Sequence, residues 1–359
     1  MTAYRPIQAR IHLNALRNNL KVVKTFAPKS KVLAIIKSNG YGHGAERVAR
    51  ELAEADGYGV ASIDEAIFLR QKGFLHPIVI LEGLFSEAEL DLAIQHRLEF
   101  AVHNWEQLNW LKTSHVTTPL TIWLKLDTGM HRLGFDERDM ERVLTAIDRL
   151  PMSIHLNLMS HFASADTSDD FTQKQLSIFN RVAQTLNCPK SLANSAGVQR
   201  YPQSHFDWVR PGIMLYGACA TDETVPGLQP AMTLASEITS LKWIEAGETV
   251  GYGQTWRAER RSLIAVVAAG YGDGYPRCAP AGTPVLIHGQ RLPMAGRVSM
   301  DMLTVDVTDM ADHVALGDEV ILWGGQGLPV DVIAQACGTI GYELLCDVTQ
   351  RVPRVEVKD

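Results

Sequence analysis

The run Val32-Leu33-Ala34-Ile35-Ile36-Lys37-Ser38-Asn39-Gly40-Tyr41-Gly42-His43-Gly44 decides how the rest of the chain is read. Its five apolar residues, three of them β-branched, fit a strand buried on both faces, as strands of parallel sheets are. The run stops on a lysine, Gly40, Gly42 and Gly44 come close behind, and a helical pattern begins at Ala45. A lysine at the carboxyl end of a buried parallel strand sits where α/β barrels place their catalytic groups. A buried ammonium is costly, so such a lysine tends to lose its proton or form a covalent bond. The plainer reading is a strand-end lysine reaching out to solvent.

On either side of this run, short apolar stretches alternate with amphipathic ones from Leu13 to about Leu215. A first helix is expected over 14–26, with Leu16, Leu20 and Val23 on one face. Strands are expected at 32–37, 58–61, 77–81, 100–103, 120–126, 154–159, 191–194 and 208–215. Helical patterns lie near 45–55, 64–72, 86–96, 104–113, 136–150, 170–186 and 196–201. Eight such repeats point to an N-terminal (β/α)8 TIM barrel within an α/β chain. A doubly wound open sheet is the runner-up, but no Gly-x-Gly-x-x-Gly opens a helix after the first strand. Beyond Gly217 the texture changes. The polar stretch 221–229 carries Pro226 and Gly227 and reads as a linker. Short strands are expected next at 234–242, 262–268, 284–288, 302–307 and 318–323, with one helix near 330–337. The expected division is a barrel over 10–228 and a mostly β domain over 229–359, with residues 1–9 as a candidate addition to the latter.

Bulk properties bound the function. At 359 residues the chain exceeds the comfortable size of one core, so two domains are expected. A net charge of −6 argues against nucleic acid, which favours a basic surface. No apolar run approaches the roughly 20 residues of a membrane span. The first ten residues carry Arg5, Pro6 and Arg10 and no apolar core, which reads against a secretory signal. The five cysteines are scattered, without a Cys-x-x-Cys pair, and read as cytoplasmic thiols, not as a disulfide framework or a metal site.

Polar residues gather where the expected barrel strands end. Besides Lys37 there is Lys125, with Asp127-Thr128-Gly129-Met130-His131-Arg132 after it; then Ser160-His161, Asn194-Ser195 and Arg210-Pro211-Gly212-Ile213. A lone histidine after a strand is more often a packing or surface residue. Five such placements on one barrel face are the pattern of an active site, and loops after strands seven and eight commonly take a phosphate.

The run 34–44 also resembles the pyridoxal-phosphate lysine motif of the alanine racemases, whose usual form is Ala-Val-Val-Lys-Ala-Asn-Ala-Tyr-Gly-His-Gly. Ser38 and Gly40 depart from it, each by a small residue. The resemblance extends over essentially the whole chain. It implies that Lys37 carries pyridoxal 5'-phosphate, and that Tyr41, Ser195, Tyr342 and the Gly212 and Ile213 amides hold the phosphate beside Asn194. It implies His161 beside the pyridine ring and Arg132 on the phenolic oxygen. Lys125 matches a lysine carbamylated in many members, which would turn a cation facing Arg132 into an anion. The segment Phe206-Asp207-Trp208-Val209-Arg210-Pro211-Gly212-Ile213 resembles the one that sets an arginine, here Arg210, on the pyridine nitrogen. An arginine keeps its charge, so it donates to that nitrogen without protonating it. That weakens the electron sink and favours simple proton removal and return.

Racemisation needs an acid/base group on each face of the reacting carbon. Lys37 serves one face. For the other, Gly270-Tyr271-Gly272-Asp273-Gly274-Tyr275-Pro276-Arg277 resembles the family's Gly-Tyr-x-Asp-Gly-Tyr-Pro-Arg motif, whose tyrosine, here Tyr271, comes from the partner subunit. In Gly296-Arg297-Val298-Ser299-Met300-Asp301 the matching residue, Met300, binds the substrate carboxylate; the ending Arg351-Val352-Pro353-Arg354 matches as well. The resemblance therefore implies a cytoplasmic homodimer with shared sites, acting on L- and D-alanine. Competing readings are a racemase of related fold acting on serine, lysine or many amino acids, a decarboxylase of the same barrel class, and a barrel that holds the cofactor without turnover. Arg210 argues against the decarboxylase, and the β domain with Tyr271 against the cofactor carrier.

Overall fold

The computed structural model describes residues 5–325 and 327–358; of the expected N-terminal addition, residues 1–4 lie outside it, as does Asp359 of the β domain. Parallel pairing runs from Lys31–Ile35 through Gly57–Val60, Ile78–Ile80, Glu99–Val102, Leu120–Asp127, Ile154–Met159, Lys190–Ser191 and Trp208–Val209. Trp208 and Val209 then pair back with Lys31 and Val32, closing the barrel. The ninth strand of that sheet, Phe135–Asp136, only extends the end of Leu120–Asp127. The first strand is buried from Val32 to Ile35, as a strand covered on both faces must be.

The α-helices answer the same periodicity. Leu13–Phe26 buries Leu16, Leu20 and Val23 on one face, and Asp169–Ala183 buries Leu176, Phe179 and Val182. The helix Trp105–Thr113 is capped by Asn104, whose side chain accepts from the Gln107 amide.

A second, eight-stranded sheet is built around the long strand Met232–Ile244, which pairs antiparallel with Gln8–His12, Ser262–Val267 and Glu319–Trp323. Gln8–His12 also takes Arg354–Val357 as a parallel neighbour, so both ends of the chain enter this sheet. Neither end strand was expected, nor the helix Gly341–Asp347 beyond Val330–Cys337. The expected strand at 208–215 is cut to Trp208–Val209. Pro211 has no N–H for a ladder, and Ile213–Tyr216 turns into a 3-10 helix.

Candidate active site

Lys37 lies just past the first barrel strand, which ends at Ile35 and not at the lysine. The backbone then turns left-handed: Ser38, Asn39, Gly40 and Tyr41 all have positive φ, at 53°, 54°, 61° and 50°. Each non-glycine residue there costs roughly 1–2 kcal/mol, so the turn exists only because its surroundings impose it. Backbone bonds close it, from Gly40 N to Ile36 O at 2.9 Å and from Gly42 N to Ser38 O at 3.0 Å. Glu65 accepts from the Ser38 amide at 2.6 Å, and the Asn39 side chain accepts from Ala45 N at 2.9 Å. His43, fully buried, donates through Nδ1 to Tyr41 O at 2.7 Å. The turn leaves Lys37 half-buried and drives Tyr41 inward, where it stacks on Tyr216 at 4.5 Å and lies 5.9 Å from the Tyr342 ring.

Tyr41 meets the end of the eighth strand. A Cβ on Gly212 would stand 2.5 Å from the Tyr41 hydroxyl, so only glycine permits this approach. The Gly212 amide donates to Ser195 Oγ at 2.9 Å, and Met214 N reaches the same oxygen at 3.4 Å. Asn194 accepts from Gly197 N at 2.9 Å and thereby fixes the start of Ser195–Arg200. Burial raises both the Tyr41 and Tyr342 phenols, so they stay protonated donors. Tyr41, Ser195, Gly212, Ile213 and Tyr342 thus form a cluster of neutral groups rich in donors.

From the same strand end comes Arg210, buried, with Nη1 on Ser191 Oγ at 2.6 Å and Nη2 on Ser160 O at 2.5 Å, against the ends of the sixth and seventh strands. The same nitrogen lies 3.2 Å from His161 Nδ1. Burial lowers Arg210 to about 10, which still leaves it charged at neutrality. His161 is pushed well below its ordinary value, first by burial and then by the charges of Arg210, Lys125, Arg132 and Lys37. Lys125, buried at the end of Leu120–Asp127, falls to about 8, first by burial and then because Arg210, Arg132 and Lys37 face it; Glu82 is the opposing carboxylate. Lys125, Arg132, Ser160 and His161 line one cleft.

Such an excess of cations asks for an anion. Hydroxyl and amide donors lie on one side, Arg210 and His161 on the other, and Lys37 stands at the strand end. A phosphorylated pyridine aldehyde would fit this donor set: the neutral hydroxyl and amide cluster would take the phosphate, an Arg210 N–H would face the ring nitrogen, and Lys37 would offer an amine.

Tyr271 and Met300 are gathered elsewhere, on adjoining loops of the second sheet. Tyr271 N donates to Ser299 O at 3.0 Å and Gly272 N to Met300 O at 2.8 Å. Both side chains are exposed, Tyr271 by 38% and Met300 by 54%. Sequence reading missed the groups that hold these loops, Asp273, Arg351 and Arg5, and it missed His43 beneath the lysine turn. Asp273 did carry a signal, as a carboxylate between Gly272 and Gly274 in an apolar neighbourhood.

Comparisons with known proteins agree over both sheets. The family model for the alanine racemase N-terminal domain matches residues 11–220, and that for the alanine racemase C-terminal domain matches 231–356. An alanine racemase of Aeromonas hydrophila is 46% identical over 349 residues, covering 96% of this chain and 97% of that protein. Among solved structures, biosynthetic alanine racemase from Pseudomonas aeruginosa superposes with a TM-score of 0.95 at 46% identity, over 98% of this chain and 99% of that one. Alanine racemase from Acinetobacter baumannii gives 0.92 at 41%, over 98% and 100%. With matches of this length and identity across barrel and β sheet alike, the chain belongs to the alanine racemase family of amino-acid isomerases.

Proposed function

We propose that the chain interconverts L- and D-alanine with pyridoxal 5'-phosphate by a two-base mechanism, as a homodimer with shared sites. The observation that carries this reading is the cation cluster of Lys37, Lys125, Arg132 and Arg210, opposed by Glu82 alone among the charges acting on Lys125. When bound, the cofactor withdraws electrons from the substrate and acidifies its α-proton. Tyr41, Ser195, Tyr342 and the Gly212 and Ile213 amides hold its phosphate beside Asn194, and Arg210 donates to its ring nitrogen without giving up a proton. His161 lies beside the ring, and Arg132 pairs with the phenolic oxygen and the substrate. Carbamylation of Lys125 relieves its repulsion from Arg132. Lys37 moves the proton on one face of the substrate. Tyr271 of the partner protomer moves it on the other, next to Met300, which receives the substrate carboxylate.

The barrel over 10–228 holds the cofactor in this reading, and the β domain over 229–359 completes the neighbouring site. The enzyme works in the cytoplasm, supplying D-alanine for peptidoglycan or serving L-alanine catabolism. No helix among the described residues is long and apolar enough to cross a membrane. The test is α-proton exchange in heavy water with chirality analysis, over a panel of L-amino acids with added pyridoxal phosphate. Exchange and racemisation confined to alanine support the reading; equal racemisation of serine, lysine or many amino acids overturns the substrate assignment.

A further inference from the structure

The two loops that carry Tyr271 and Met300 are packed face to face more tightly than ordinary loops. A Cβ on Gly270 would stand 2.3 Å from Ser299 O and 2.4 Å from Met300 O, so nothing larger than a hydrogen fits between them. Backbone bonds from Tyr271 and Gly272 to Ser299 and Met300 join the loops along this line.

Four charged side chains lock the joint. Asp273 is fully buried, and its Oδ2 accepts from Gly270 N at 2.9 Å, closing the turn around Tyr271. Its Oδ1 receives Arg5 Nη1 at 2.5 Å and Arg351 Nε at 2.7 Å. Each arginine then bridges to the Met300 loop, Arg351 Nη2 to Asp301 Oδ1 at 2.6 Å and Arg5 Nη2 to Asp301 O at 2.6 Å. Thr349 ties the arrangement to the chain end, donating from its hydroxyl to Gly272 O at 3.0 Å and from its amide to Asp273 O at 3.0 Å. Burial pushes the Asp273 carboxyl up, but the hydrogen bonds from Arg351 and Arg5 outweigh it, so the group sits below its ordinary value and stays ionised.

We infer that Asp273, Arg351, Arg5 and Asp301 are positioning residues that hold Tyr271 and Met300 as one block, at the fixed spacing a proton-transferring hydroxyl and a substrate carboxylate require. The inference rests on the roles proposed for Tyr271 and Met300. The four act through those two residues and not on the substrate itself. An isolated surface ion pair would contribute little, but this network is anchored on a carboxylate with no access to water. Loss of an anchor lets the tyrosine turn slide on the Met300 loop, and displacements of about 1 Å at reacting groups cost up to roughly 100-fold in rate.

The test compares holoenzyme variants Tyr271→Phe, Arg351→Met and Asp301→Asn. The last two remove exposed partners and spare the buried Asp273, so the fold survives. Washout of the α-proton is measured separately from L- and D-alanine, with amide hydrogen exchange of segment 270–275. The expected result is that Tyr271→Phe suppresses washout from one enantiomer. Arg351→Met should do the same in part, by roughly 10-fold or more, with faster amide exchange and an unchanged cofactor spectrum at Lys37. Asp301→Asn acts in the same direction more weakly, and Arg351→Lys, which keeps the contact to Asp273, restores part of the loss. Equal losses from both enantiomers, or normal kinetics despite faster amide exchange, overturn the positioning role. If Tyr271→Phe leaves both enantiomers exchanging normally, the two-base reading itself has failed, and the positioning role falls with it.

Discussion

Arg210 Nη2 faces His161 Nδ1 at 3.2 Å. A guanidinium only donates, so Nδ1 must be the accepting nitrogen and the His161 proton must sit on Nε2. Protonating Nδ1 would set two cations in contact inside the barrel mouth, and burial together with the neighbouring charges drives the His161 pKa well below 6.5. His161 should therefore remain neutral, as the Nε2–H tautomer, through the pH range where an ordinary histidine titrates. Nitrogen NMR of the imidazole checks this; a titration near the ordinary value would contradict the contact. In Arg210→Met the His161 pKa should climb toward 6.5, since the second largest cause of its depression is gone. That variant also strands the Ser160 carbonyl and the Leu192 carbonyl, which accepts from Arg210 Nη2 at 3.4 Å, so a stability loss of about 3 kcal/mol is expected in urea unfolding.

Gly212→Ala tests the phosphate cradle. The added methyl would stand 2.5 Å from the Tyr41 hydroxyl and must push that side chain off the Gly212 backbone. Tyr41 is stacked on Tyr216 and cannot retreat freely. Overpacking of this kind costs about 1–3 kcal/mol. Cofactor affinity should fall by at least tenfold or so, about 1.4 kcal/mol, while Lys37 remains able to react with free pyridoxal. Unchanged affinity for pyridoxal phosphate would place the phosphate elsewhere.

Much of the barrel was legible in the sequence, and much of what holds its site was not. Barrel strands were visible because burial on both faces writes apolar runs, as over Val32–Ile35 and 122–124 within Leu120–Asp127. The end strands Gln8–His12 and Arg354–Val357 were not, since each is short and interrupted by arginine or glutamate, and the latter has no buried residue. Lys37 and Arg210 stood out as charges where apolar runs stop. The left-handed turn after Lys37 was hidden because Ser38, Asn39 and Tyr41 do not demand that conformation; Glu65, from 27 residues away, helps to impose it. Asp273 likewise acquires its meaning from Arg5, 268 residues distant, and from Arg351.

Lys125 offers a test in the pH range of ordinary assays. Its pKa falls to about 8 from 10.5, so about half is neutral at pH 8. A folded-state pKa below the unfolded one means that the cation destabilises the fold below pH 8, and that stability is regained as pH rises from about 8 toward 10.5. Neutral amine is also the form that adds carbon dioxide. Labelled bicarbonate at pH 8 should give a carbamate signal that disappears in Lys125→Met, and activity should rise with bicarbonate only in the parent. Bicarbonate-independent activity with no carbamate signal would leave Lys125 a plain amine.

His43 supplies the most direct check on the lysine turn. It is fully buried, its Nδ1 proton serves Tyr41 O and Gly40 O at 2.7 and 3.1 Å, and its Nε2 has no partner among the described residues. Burial is the largest cause of its fall from 6.5 to about 4, with Arg354 and Arg47 adding to it against the two backbone bonds. Because the folded-state value is depressed, the neutral ring's contribution is fully present above pH 6.5 and is lost as pH drops toward 4. The shift corresponds to roughly 3 kcal/mol. His43→Gln keeps a donor for Tyr41 O but cannot titrate. It should cost about 1–2 kcal/mol at neutrality, from imperfect filling of the ring's place, and it should flatten the acid limb of the stability curve. Urea midpoints taken from neutrality down to about pH 4 measure both effects, since other histidines contribute equally to the two proteins and cancel in the difference. Parallel acid limbs in parent and variant would show that His43 is not the titrating group.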